Sequence, residues 1–214
     1  METFGTPFSI VGCTMKKKEK KMYTLLLLLI YLAFISLGLP DSLLGSAWPV
    51  MHEAFQVPLS YAGLVTMIIS GGTICSSLMS ERLTKKFGTQ IVTVFSVMLT
   101  AIALFGFSTA SAFWMLCLWA IPYGLGAGAI DAALNNYVAL HYNSRHMSWL
   151  HCFWGLGTII SPYVMSYALT TSVWQNGYRM VSFIQIGIAL ILFVTLPIWK
   201  VNKKETAQEE KAEW

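Results

Sequence analysis

Six apolar runs, at residues 22–50, 61–80, 91–109, 113–140, 149–169 and 180–199, are separated by short stretches that hold most of the polar and charged residues. Each run is long enough to cross about 30 Å of hydrocarbon as an α-helix rising about 1.5 Å per residue. The pattern predicts an all-α membrane protein. Residues 22–199 form a bundle of six transmembrane helices, residues 1–21 a basic N-terminal segment, and residues 200–214 a charged tail. The first and fourth runs exceed the minimum, so those helices tilt, bend or extend beyond the hydrocarbon. Gly45-Ser46-Ala47 resembles a cleavage site, but it lies too far from Lys21 for a typical signal-peptide core, so the first run reads as a retained span. Translation from Met1 and from Met15 fits the pattern equally.

Composition agrees with this reading. Of 214 residues, 56% are hydrophobic and 11% charged, with a mean hydropathy of +0.60. A soluble domain has about a quarter of its residues charged, and a disordered chain needs low hydrophobicity with high charge. The net charge of +4 does not point to nucleic acid, because the cations are spread over the ends of the runs. Lys16, Lys17, Lys18, Lys20, Lys21, Arg82, Lys85, Lys86, Arg145, Lys200, Lys203, Lys204 and Lys211 fall on one side of the predicted membrane, and Arg179 alone on the other. The positive-inside rule then places both termini in the cytoplasm, as an even number of spans requires. Cys13, Cys75, Cys117 and Cys152 have no paired spacing and are expected to be small buried hydrophobes. No cofactor or metal is implied.

The acids are more selective. Of ten, eight lie in tails or at predicted helix ends, and Asp41 and Asp131 lie inside apolar runs. A carboxylate at that depth is costly and belongs in contact with protein or water. Asp41 follows Gly38 and Pro40, which allow a local bend. Helical spacing puts Gly38, Asp41, Gly45 and Trp48 on one stripe. Asp131 shares a face with Gly124, Gly128 and Asn135, and the two glycines form a G-x-x-x-G pair suited to close helix packing. No lysine or arginine falls within any run. A carboxyl group that takes up and releases protons as water access changes is what a proton relay needs.

Other polar positions admit two readings each. Thr66, Ser70, Thr73, Ser77 and Ser80 line one face of the second span, either as a polar path or bonded to backbone carbonyls. His151, Trp154, Gly155 and Thr158 share a face of the fifth span, either as a contact for a ring-shaped polar ligand or as an interfacial pair. Arg82, Lys85, Lys86 and Gly88 make a tight basic turn, either an orientation signal or a gating loop.

Together these residues resemble the N-terminal half of the major facilitator superfamily, over about residues 22–199. The resemblance rests on the six spans, the glycine-rich fourth span and Gly177-Tyr178-Arg179 near the start of the sixth. It also rests on the turn Leu83-Thr-Lys85-Lys86-Phe87-Gly88, a degraded form of that superfamily's G-x-L-x-D-R-x-G loop, with Glu81 and Lys85 in place of its glycine and aspartate. Within the superfamily, the fucose permease-like proton-coupled sugar symporters are most similar. Asp41 matches their first-span acid, Asp131 and Asn135 their fourth-span acid and asparagine, and His151 a polar sugar contact. The asparagine expected before the first acid is Gly38 here.

The resemblance implies that Asp41 and Asp131 handle protons and sugar hydroxyls and that His151 helps to bind substrate; Asn135 and Trp154, beside them on the same helix faces, are the further candidate substrate contacts. It further implies half of a major facilitator fold, a 3 + 3 inverted repeat in which the first and fourth spans correspond. The expected function is proton-coupled transport of a small polar solute, a sugar, across the plasma membrane. The expected partners are the lipid bilayer and a second six-helix half or a second copy of the chain. The alternatives are a non-transporting remnant or assembly partner and, more distantly, an intramembrane aspartyl protease. An enzyme is not expected, because the sequence around Gly128-Ala-Ile-Asp131 and Pro40-Asp41 lacks the G-x-G-D and Y-D motifs.

Overall fold

The computed structural model describes residues 7–197, with side chains from Met22 onward. Its helices are α1 (Pro7–Asp41), α2 (Leu43–Ala54), α3 (Ala62–Phe87), α4 (Thr89–Thr109), α5 (Phe113–His141), α6 (Ser144–Thr171) and α7 (Trp174–Val194). A single 3-10 turn, Leu59–Tyr61, precedes α3. Among the described residues, six helical stretches are long and apolar enough to cross a membrane, the first being Met22–Ala54, which joins α1 to α2. The fold is therefore the all-helical six-span bundle that the hydropathy pattern predicts. The backbone of α1 is already helical from Pro7. The side chains of the basic segment and all of residues 200–214 lie outside the described residues.

Helix limits differ from the apolar runs where polar residues continue a helix. α3 carries Arg82, Lys85 and Lys86 within its last turns and stops only at Gly88, since long cationic side chains reach outward from a helix end. α7 begins at Trp174, so Arg179 sits inside the helix rather than before it. The first run is broken at Ser42, immediately after Pro40-Asp41. That break separates Trp48 from the stripe expected with Asp41. Trp48 is buried, and its indole N–H donates to the Leu59 carbonyl at 2.7 Å.

Four helix pairs make up most of the packing: α3 lies along α5, α1 lies along α6, and α4 packs against both α5 and α7. This is the correspondence a 3 + 3 inverted repeat requires, with the first and fifth spans equivalent to the fourth and second. The α1–α6 and α3–α5 crossings bring backbone against backbone. A Cβ on Gly38 would sit 2.1 Å from the Trp154 carbonyl oxygen, and one on Gly157 2.5 Å from that of Ile35. A Cβ on Gly124 or Gly128 would lie 2.3 Å from the carbonyl oxygens of Ile69 and Thr73 respectively. The G-x-x-x-G pair thus serves packing.

Two apolar clusters fill the bundle. One gathers Leu26, Ile30, Phe34, Val97, Leu134 and Leu150. The other gathers Leu43, Met51, Leu104, Leu116, Met165 and Tyr178. A polar layer lies between them. Pro40 has no N–H, so the Ser36 carbonyl four residues earlier loses its helical donor. Gln185 of α7 supplies one, its Nε2 donating to Ser36 O at 2.6 Å, while Thr100 of α4 donates to Gln185 Oε1 at 3.1 Å. Ser182 adds a bond to the Ala101 carbonyl at 2.8 Å. Gln185 is 1% exposed, so the layer joins α1, α4 and α7 inside the core.

Candidate functional site

Asp41 is the last residue of α1 and an exposed residue of the bundle. Both oxygens are engaged. The Tyr123 hydroxyl of α5 donates to Oδ1 at 2.9 Å, and the Trp154 indole N–H of α6 donates to Oδ2 at 2.8 Å. The contact at Gly38 sets the second bond, because the bare backbone lets α6 close on α1 at the Trp154 carbonyl itself. The same contact leaves no space for the asparagine expected at position 38.

The chemistry of these partners suits a carboxyl group that changes its protonation. An indole N–H can only donate, whereas a phenol can donate or accept. With Asp41 ionised, both partners donate to it. With a proton on Oδ1, Tyr123 can accept while Trp154 keeps its bond to Oδ2. Tyr123 is 3% exposed, and its ring lies tilted against that of Phe107 at 6.2 Å, which holds it in place for either role.

Asp131 lies on α5, eight residues beyond Tyr123, which corresponds to about 12 Å along a helix. Asn135, one turn on, donates from Nδ2 to Asp131 Oδ1 at 2.9 Å. The other amide atom, Asn135 Oδ1, is buried without a hydrogen-bond partner. It is an acceptor left without a donor. The ring of His151, on α6, meets Phe34 edge-on at 6.2 Å.

The expected site residues therefore form two groups at different depths. One is Asp41 with Tyr123 and Trp154; the other is Asp131 with Asn135, so each aspartate has its own hydrogen-bond partners. Of the two candidates on α6, Trp154 bonds Asp41 and His151 sets its ring against Phe34. Neither carboxylate is in a salt bridge: among the described residues the one ion pair within 4.0 Å is Lys85–Glu81. No cluster of three or more His, Cys, Asp or Glu suited to a metal occurs among them either.

The remaining candidates divide clearly. Thr73, Ser77 and Ser80 donate to the carbonyls of Gly124, Gly128 and Ala129 at 3.1–3.3 Å, so these hydroxyls are used in the α3–α5 crossing. Thr66 bonds its own helix at Ala62. In the basic turn, Lys85 pairs with Glu81 at 2.6 Å, and Gly88 adopts φ +88° and ψ 149°, a conformation open to glycine. Arg82, Lys85, Lys86 and Gly88 lie apart from both aspartates. Cys75 and Cys152 are free and exposed rather than buried, and Cys117 is half-buried.

Comparison with known proteins agrees with this architecture. The family model described as Major Facilitator Superfamily matches residues 30–214. The chain is 24% identical over 163 residues to Bypass of stop codon protein 6 of Saccharomyces cerevisiae, covering 75% of this chain and 33% of that protein. It is 22% identical over 182 residues to the Glucose/mannose transporter GlcP of Bacillus subtilis, covering 83% of this chain and 44% of that protein. The chain thus spans less than half the length of these curated relatives. With six spans, the α1–α6 and α3–α5 pairing of an inverted repeat, and a family match over most of its length, this chain belongs to the Major Facilitator Superfamily.

Proposed function

We propose that this chain is a six-helix half of a proton-coupled secondary transporter for a small polar solute, a hexose-like sugar, in the plasma membrane. The observation that carries the reading is the placement of Asp41 and Asp131. Both lie within membrane-spanning helices, both have hydrogen-bond donors, and neither has a lysine or arginine partner among the described residues. A carboxyl group so placed can exchange its proton with water or with a bound hydroxyl. Trp154 and His151 add an apolar ring face and a polar edge, the two surfaces a sugar presents. A relative whose name specifies glucose and mannose supports the sugar class. Kinship with the fucose permease-like symporters is part of the proposal, with Gly38 marking a different contact beside the first acid.

Alternating access requires one bundle to rock against another. The proposal therefore includes a second six-helix unit, either a further half or a second copy, facing the surface that bears Asp41, Trp154 and His151. The termini and the Arg82–Lys86 turn lie on the cytoplasmic side. Superfamily membership sets aside the protease alternative.

The test is uptake of a hexose panel into proteoliposomes under an imposed proton gradient, with the chain alone and with a candidate second half. Gradient-driven uptake is expected in at least one arrangement, and Asp131→Asn reduces it to background. Uptake by the wild type that ignores the gradient, or that survives Asp131→Asn unchanged, would remove the proton assignment.

A further inference from the structure

A groove of about 550 Å³ runs between α3 and α4, lined by none of the residues of the two aspartate groups. Met79, Leu83 and Phe87 of α3 and Ile91 and Phe95 of α4 form its walls, with Ala129 of α5 at its floor. The connection between the helices explains its shape. A single residue, Gly88, joins them, yet away from this turn α3 and α4 touch little and each leans on α5 instead. α5 presents Gly124 and Gly128 to α3 and Gly126 to α4. Two helices tied at one point and spread by a third leave a V-shaped slot. Its walls are open to the outside: Phe95 is 69% exposed and Met79 56%.

The mouth of the slot is charged. Lys85 is occupied by Glu81, but Arg82 and Lys86 have no acidic side chain within salt-bridge distance among the described residues. Lys86 Nζ stands 5.3 Å from the ring centroid of Phe87, itself a wall of the groove. An apolar slot thus opens beside two cations that are in no salt bridge among the described residues, at the end of the hydrocarbon span. An uncharged lipid would fill the slot and leave the cations unpaired. A soluble phosphate would pair the cations and leave the slot unused. A glycerophospholipid with a net-negative headgroup satisfies both.

We infer that the α3–α4 groove binds an anionic membrane phospholipid, with an acyl chain along Met79, Leu83 and Phe95 and the headgroup phosphate at Arg82 and Lys86. The site does not depend on the transport reading. It lies on the side that the positive-inside rule assigns to the cytoplasm, where the leaflet is rich in anionic lipid.

Native mass spectrometry of the purified full chain tests this, using phosphatidylglycerol and phosphatidylcholine with identical acyl chains. Phosphatidylglycerol should bind more tightly, by about fivefold for each of the two cations. The double variant R82Q/K86Q should lower its affinity to that of phosphatidylcholine, while Arg179→Gln, at the opposite end, leaves the preference intact. Lys86→Gln alone should remove about fivefold, which keeps the test open if the double variant aggregates. Free glycerol phosphate at equal concentration should not displace the lipid. Equal binding of the two lipids by the wild type, a preference that persists in R82Q/K86Q, or displacement by glycerol phosphate would each overturn the assignment.

Discussion

The α1–α6 and α3–α5 pairs are equivalent in the repeat and are held together in the same way, yet they use their polar side chains differently. Each crossing brings backbone against backbone at glycines, Gly38 and Gly157 in one, Gly124 and Gly128 in the other. In α3–α5 the hydroxyls of Thr73, Ser77 and Ser80 are spent on the carbonyls of the facing helix. In α1–α6 the Trp154 indole reaches past the crossing to Asp41. A polar group in a membrane helix is therefore a candidate for function only when the packing does not consume it. Residue type and depth alone do not separate the two cases.

The largest effect should come from breaking either crossing. Gly128→Leu and Gly157→Leu each force a side chain into a carbonyl, and overpacking of this kind costs about 1–3 kcal/mol or more where backbone must move. Loss of monodisperse protein in detergent, or a Tm lowered by many degrees, is the expected result for both. Retention of wild-type stability by Gly157→Leu would mean that α1 and α6 do not cross as described.

Smaller and more selective losses should follow from Trp154→Phe and Tyr123→Phe. A hydrogen bond to a charged group is worth about 1.5–3 kcal/mol, so uptake efficiency should fall roughly tenfold to a hundredfold, with the fold intact by circular dichroism. If both variants transport normally while Asp41→Asn does not, the carboxylate acts without its two donors.

The smallest change is expected on the other side of the comparison. Ser77→Ala and Ser80→Ala each remove one interhelical hydrogen bond, worth about 0.6 kcal/mol on average and at most about 1.7 kcal/mol within a membrane. Thermal stability should drop slightly and uptake should not change. A transport defect with normal stability would turn the α3 hydroxyls back into a polar path.

The six spans were legible because long apolar runs have few alternatives to a membrane helix. Asp41 and Asp131 were legible for the complementary reason, as ionisable groups inside such runs. Helix ends were less so. Gln175, Asn176 and Arg179 interrupt hydropathy without interrupting α7, and Arg82 to Lys86 do the same for α3. Tyr123 was missed because a tyrosine in an apolar run looks like packing, and its role depends on a partner 82 positions away. Its only sequence signal is its place on the span that carries Asp131. Gln185 was a stronger signal overlooked, an uncharged amide within an apolar run that also contains Ser182. That Trp154 bonds Asp41 while His151 meets Phe34 depends on the rotation of α6 about its axis, which spacing along one helix does not supply.

The bond between Gln185 and Ser36 has a consequence for how this sequence can change. Pro40 opens a vacancy in the backbone of α1, and Gln185 fills it from across the core. Replacing the proline alone would leave two groups competing for one carbonyl; replacing the glutamine alone would bury an acceptor without a donor. The two positions are therefore coupled in energy, and a change at one alters the effect of a change at the other.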